Sequence, residues 1–130
     1  MKQIETDICI IGGGSGGLSL ASGAVQLGAR VVRFEGGQMG GDSLNSGCVA
    51  SKALLAAAKA AYLANGNAAM GITNTPPNID FAAVKAHITD VIAQIKPHDS
   101  IDRFEALGVT VIPEIAHFTG PRAVASATHQ

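Results

Sequence analysis

The chain has 130 residues, 47% of them hydrophobic and 15% charged, with nine lysines and arginines against ten aspartates and glutamates. A net charge of −1 without a lysine or arginine cluster argues against nucleic-acid partners, and the apolar content excludes a disordered chain. The two cysteines, Cys9 and Cys48, are too few for a disulfide scaffold and fit a reducing cytoplasm, and the length suits one domain over 1–130.

The opening MKQIETD carries charges without an apolar run after them, so no signal peptide is expected. Ile4 to Ile11 reads as a strand, with Ile8, Cys9, Ile10 and Ile11 as a continuous buried run. A helix follows through Leu18, Leu20, Ala21, Ala24, Val25 and Leu27, and Gly28 ends it. Ile8 to Ala29 is uncharged and long enough to raise a membrane span, but it holds seven glycines and this strand-to-helix break, which speak for a soluble chain. Val31 to Glu35 is a second strand, so the first thirty-five residues form a βαβ unit with a parallel pair.

Gly36 to Gly47 reads as a glycine-rich connection, followed to about Ala64 by an alanine-dominated helix suited to packing closely on something flat. Asn65 to Asn78 is a loop, because Pro76-Pro77 excludes helix. Asp80 is placed to cap a helix whose stripe is Phe81, Val84, Ile88, Val91, Ile92 and Ile95. Pro97 should break it, with Ile101, Phe104 and Leu107 continuing the apolar pattern until Gly108. Val109 to Ile112 is another strand, and Ile115 to Phe118 is expected to pair with Val124 to Ala127 across Thr119–Arg122. The fold class is therefore α/β: a Rossmann-like βαβ unit with a parallel sheet, long helices and a small antiparallel hairpin.

Gly12, Gly14 and Gly17 fit GxGxxG between a strand and a helix. The first glycine allows a tight turn, the second a close backbone approach to a pyrophosphate, and the third close packing of helix on strand. The helix N-terminus then offers N–H donors and partial positive charge to the phosphate. Glu35, eighteen residues past Gly17, is placed to accept hydrogen bonds from ribose hydroxyls and would repel a 2′-phosphate. These features point to a dinucleotide but do not separate FAD from NAD.

Gly40 to Leu55, GGDSLNSGCVASKALL, resembles the active-site segment of class I pyridine nucleotide-disulfide oxidoreductases, the family of dihydrolipoamide dehydrogenase and mercuric reductase. The family pattern is close to GGTCLNxGCxPSKALL, and the shared positions are Gly40, Gly41, Leu44, Asn45, Gly47, Cys48 and Ser51 to Leu55. The resemblance implies that the chain is the N-terminal part of an FAD-binding domain, without the NAD-binding and dimerisation domains. It assigns Gly12, Gly14, Gly17, Glu35, Gly41, Asp42 and Lys52 to FAD. NAD(P) is expected only in a full-length relative. It further implies two-electron transfer between NAD(P)H and a dithiol or disulfide, including lipoyl groups, in relatives that are homodimers.

The same resemblance makes Cys48 the charge-transfer thiol beside the flavin. Its chemistry agrees: Cys48 stands near a helix start, where the dipole favours a thiolate, and Lys52 lies four residues on along the same face. Ser43 stands where the family carries its interchange cysteine, and a hydroxyl can neither form a disulfide nor attack one at neutral pH as a thiolate does. Cys9 is a poor substitute, because it belongs to the buried run of the first strand. The resulting alternatives are a truncated, non-catalytic FAD-binding module or, less favoured, the single-cysteine chemistry of NADH peroxidases and coenzyme A-disulfide reductases. Asp42 for threonine and Ala50 for proline are further departures from the pattern. His87, His98, His117 and His129 share no metal-ligand spacing with the cysteines, so no metal is expected.

Overall fold

A computed structural model describes residues 1–130. Its centre is a parallel three-stranded sheet made of β1 (Ile8–Ile11), β2 (Val31–Phe34) and β5 (Thr110–Ile112), in the order β1-β2-β5. Helix α1 (Ser15–Gln26) crosses between β1 and β2, whose register sets Ile8 opposite Val31 and Ile11 opposite Phe34. This is the expected βαβ unit.

Side chains alternate across a strand, so β2 feeds two separate cores. Val31 joins Ile10, Leu18, Ala21, Ala24, Phe104, Val109 and Val111 beneath α1 and the short helix α5 (Ile101–Ala106). Val32 and Phe34 face the other way and meet Ile112, Ile4 and Val124. That second side is covered by a hairpin, β6 (His117–Gly120) with β7 (Ala123–Ala125), in which Phe118 pairs with Val124.

The turn chemistry acts where the residues placed it. Gly28 and Gly108 both adopt positive φ just past their helices. The Asp80 side chain accepts from the Ala83 N–H at 3.1 Å and caps α4 (Phe81–Ile95). Pro97 sits in a 3-10 turn, Lys96–Asp99, that ends α4 and leads into the Ser100 cap of α5.

Several expectations are corrected. The first strand begins at Ile8 rather than Ile4, because Asp7 and Thr6 bond Arg30 across the strand start while Lys2 and Ile4 exchange backbone bonds with Thr128 and Gln130. The glycine-rich connection contains a five-residue helix, α2 (Gly41–Asn45). The loop after Ala64 holds a two-residue pair, β3 (Gly66–Asn67) with β4 (Ile72–Thr73). The second hairpin strand stops at Ala125, since the Ser126 N–H turns to the His129 carbonyl.

The alanine-rich helix α3 (Cys48–Ala64) packs chiefly against α4, a helix rather than a sheet, and Ala53 is its sole buried residue. By length and composition alone, Gly41–Ala64 has the mean hydropathy, 1.2, of a membrane span, but Ser46-Gly47 divide it into two helices.

Cys9 is exposed rather than buried. It belongs to an edge strand, points away from α1, and opens on a cleft of about 810 Å³ lined also by Val32, Phe34, Ile112, Phe118 and Val124. These apolar neighbours desolvate the thiol enough to push its pKa up.

Candidate functional site

Gly12 leaves β1 with φ +111° while its N–H donates to the Phe34 carbonyl at 2.8 Å, tying the turn to the end of β2. A Cβ on Gly17 would lie 2.7 Å from the Gly12 oxygen and 3.1 Å from Ile10, so glycine is what allows α1 to start against the strand. A Cβ on Gly14 would meet nothing within 4 Å, which leaves the turn open to a close-approaching ligand.

No N–H from Gly13 to Gly17 has an acceptor within the chain, and α1 has no side-chain cap. Five successive donors at the positive end of a helix form a cradle for an anion with several oxygens, which a pyrophosphate satisfies. Glu35 follows β2 and lies over Gly13. Its Oε1 accepts from the Gly37 N–H at 2.6 Å, and Oε2 stands close to where a Gly13 side chain would be. The carboxylate is thus held beside the phosphate cradle, where a ribose would lie. These residues fit a dinucleotide.

The segment that follows is fastened to the same turn. The Gly40 N–H donates to the Gly13 carbonyl at 2.9 Å, and Gly40 and Gly41 have φ of +90° and +58°. A Cβ on Gly41 would lie 2.8 Å from the Gly14 Cα, so only glycine permits this approach. Leu44 anchors α2 from below at 2% exposure, and the Asn45 amide donates to the carbonyls of Met39 and Gly41 at 3.1 and 2.8 Å. The N–H groups of Ser46 and Gly47 both turn back to the Asp42 carbonyl. A Cβ on Gly47 would be 3.7 Å from the Ser43 Cα, so the backbone preceding Cys48 runs beside Ser43.

Cys48 opens α3 as an exposed residue, and Lys52 is exposed one turn later. Asp42 is exposed in the first turn of α2. The structure therefore brings together Gly12, Gly14, Gly17, Glu35 and Gly41 around one turn, and carries Asp42, Ser43 and Cys48 away from it on two linked helices. Cys9 lies on the opposite side of the sheet from α1, outside this group.

Sequence reasoning missed four residues here. Gly13 and Gly40 hold the junction by backbone contacts and Asn45 by its side-chain amide; Gly40 and Asn45 belong to the shared pattern, but spacing does not announce these roles. The fourth is Arg33, which is 0% exposed in the middle of β2. Its Nε donates to the Gly12 carbonyl at 3.1 Å, its guanidinium lies 5.4 Å from the Phe104 ring centroid, and both terminal amines lack an acceptor. Desolvation lowers its pKa, partly offset by the charges of Glu35 and Asp99. A charge in an apolar strand, VVRF, was the available signal.

Residues 6–123 match the family model described as pyridine nucleotide-disulphide oxidoreductase. A mercuric reductase from Streptomyces lividans is 37% identical over 125 residues, 93% of this chain and 26% of its own length. A dihydrolipoyl dehydrogenase from Geobacillus stearothermophilus is 39% identical over 92 residues, 71% of this chain and 20% of its own. The chain thus spans about a fifth to a quarter of these curated relatives. The fold matches the Cu(II) complex of the HOCl-induced flavoprotein disulfide reductase RclA from Escherichia coli, with a TM-score of 0.71 and 21% identity over 92% of this chain and 24% of that one.

Proposed function

Because the chain belongs to the pyridine nucleotide-disulphide oxidoreductase family, whose members are FAD-dependent, we propose that it holds the ADP half of FAD at the Gly12–Gly17 turn. The observation that carries the proposal is the seam between Gly40-Gly41 and Gly13-Gly14, which joins the redox segment to a dinucleotide cradle. The N–H groups of Gly13 to Gly17 bind the pyrophosphate, and Glu35 accepts from the ribose hydroxyls. Lys52 and Asp42 set the local charge around the redox helix, with Cys48 as the thiol nearest the flavin.

In the family reaction we propose for the complete enzyme, NAD(P)H and a proton reduce a disulfide to two thiols and leave NAD(P)+. FAD supplies the two-electron relay when bound. The substrate class is a small disulfide or a lipoyl group, the setting is the cytoplasm, and the working form is a homodimer. In that scheme Cys48 is held at the N-terminus of α3.

Ser43 supports a second reading, in which this chain is an FAD-binding module without dithiol turnover. Its hydroxyl cannot pair with Cys48, and Cys9 lies on the far side of the sheet. We rank single-cysteine chemistry through a Cys48 sulfenate below this, since the flanking residues resemble the two-cysteine branch.

Titration of the chain into FAD, followed by flavin fluorescence and by competition with ADP, tests the cofactor assignment. Saturable quenching that ADP reverses supports it, and no quenching refutes it. Ser43→Cys tests the second reading: under mild oxidation that variant should lose two titratable thiols while the parent chain keeps both.

A further inference from the structure

We propose that Arg33 is a positioning residue for the dinucleotide turn, retained at a cost to stability because its guanidinium fixes and polarises the Gly12–Gly13 peptide from beneath. The ligand side of this inference rests on the FAD assignment above; the effect on the turn itself does not.

The cost comes first. Arg33 is fully buried, yet two of its three guanidinium nitrogens have no acceptor. Buried charges are normally paired, and replacing an imperfectly satisfied one with an apolar side chain is often neutral or stabilising. The Phe104 ring, which Arg103 flanks at 5.3 Å as Arg33 does at 5.4 Å, returns only part of that loss. Packing alone gives no reason for an arginine beside Phe104 on a strand whose neighbours Val31, Val32 and Phe34 are apolar.

What Arg33 does accomplish is local and directional. Its one satisfied donor reaches the carbonyl of Gly12, the residue whose positive φ starts the turn. A charge-assisted bond to that oxygen holds the peptide plane. It also draws electron density from the same peptide unit, whose N–H is that of Gly13, the first of the five unpartnered donors. The bond therefore sharpens the first donor of the cradle and adds to the bonds from Gly12 to Phe34 and from Gly40 to Gly13 that limit the freedom of the glycine run. The positive charge also lies two residues before Glu35 on the same side of β2, and offsets the carboxylate's repulsion of a pyrophosphate.

The test compares the parent chain with Arg33→Leu and Arg33→Lys by amide hydrogen exchange, thermal melting, and the affinity for ADP and FAD. Arg33→Leu should exchange at least 10-fold faster at Gly12, Leu18 and Gly40, whose N–H groups bond the carbonyls of Phe34, Gly14 and Gly13 around the turn, keep its protection at Val32 and Phe34, melt no lower than the parent, and bind ADP and FAD 5- to 10-fold more weakly. Arg33→Lys, which keeps a donor and a charge, should bind within threefold of the parent. Unchanged exchange at the turn overturns the proposal, as does a lower melting point with faster exchange across the whole sheet, which would make Arg33 a simple core residue. Unchanged affinity in a parent chain that does bind overturns the ligand side. If the parent binds neither ADP nor FAD, the cofactor assignment fails, and the exchange data from the same samples still decide whether Arg33 holds the turn.

Discussion

The βαβ unit and the α3–α4 helix pair divide the molecule into two kinds of structure. The first buries Ile10, Ala21, Val31, Phe104, Val109 and Val111 around a sheet whose strands are consecutive in space. The second contains one buried residue, Ala53, and leaves Leu55, Tyr62, Leu63 and Phe81 more than half exposed. The two differ in what supports their chemistry. The dinucleotide turn is braced from inside the chain by Phe34, Arg33 and Gly40, whereas the helix carrying Cys48 and Lys52 draws its support from α4 and from the seam at Gly41. On the proposed reading, cofactor recognition is therefore the more self-contained role of these residues, and redox chemistry the less.

The sharpest way to break this contrast is to truncate a large side chain in each region. Phe104→Ala should destabilise the chain by about 3–5 kcal/mol by urea unfolding, while Leu63→Ala on α3 should change it by less than about 0.5 kcal/mol. Equal effects would mean that the two regions fold as one cooperative core. Next in size, Gly17→Ala forces a methyl against the Gly12 carbonyl and should cost about 1–3 kcal/mol while abolishing FAD retention. The same change at Gly23, where a Cβ meets nothing within 4 Å, should instead stabilise α1 by about 0.5–1 kcal/mol.

Asp80→Ala removes the α4 cap and should cost about 1 kcal/mol, with a loss of helical circular dichroism and little change at the dinucleotide turn.

The smallest expected effect is in pH. Bonds from the side chain and backbone N–H of Arg30 hold Asp7 at about 2, and hydroxyls of Ser126 and Thr128 hold Glu114 at about 2. Both folded values are depressed, so each carboxylate adds stability that is fully present above its unfolded pKa and is lost as pH falls from about 5 towards 2. Asp7 is exposed and Glu114 half-buried at the surface, so solvent screening should keep the slope shallow. Asp7→Asn and Glu114→Gln should each flatten the melting temperature over that range; an unchanged profile would show that neither pair holds the strands it joins.

Local chemistry was the legible part of this molecule. Gly28 and Gly108 at helix ends, Asp80 as a cap, Pro97 at a break and the GxGxxG spacing each act within a few residues, so the sequence announces them. The parallel order of β1 and β2 follows from the same short-range logic. The register of β5 beside β2, the five-residue helix α2 and the exposure of Cys9 depend on which strand lies at the edge and what covers it. Arg33 is the clearest case: a charged residue in VVRF is visible, but its meaning appears only when folding brings Gly12 and Phe104 to it. At the site, the glycines and Glu35 could be read as a set, while the seam of Gly40 and Gly41 on Gly13 and Gly14 required the tertiary structure.

The most direct measurement is a visible absorption spectrum of the chain after incubation with FAD and desalting, taken before and after dithiol reduction. The expected result is a retained flavin spectrum with a long-wavelength shoulder from the Cys48 sulfur, which Cys48→Ala loses while keeping the flavin. A colourless protein after desalting would contradict it, because the cradle from Gly12 to Gly17 would then not hold the cofactor that its geometry fits.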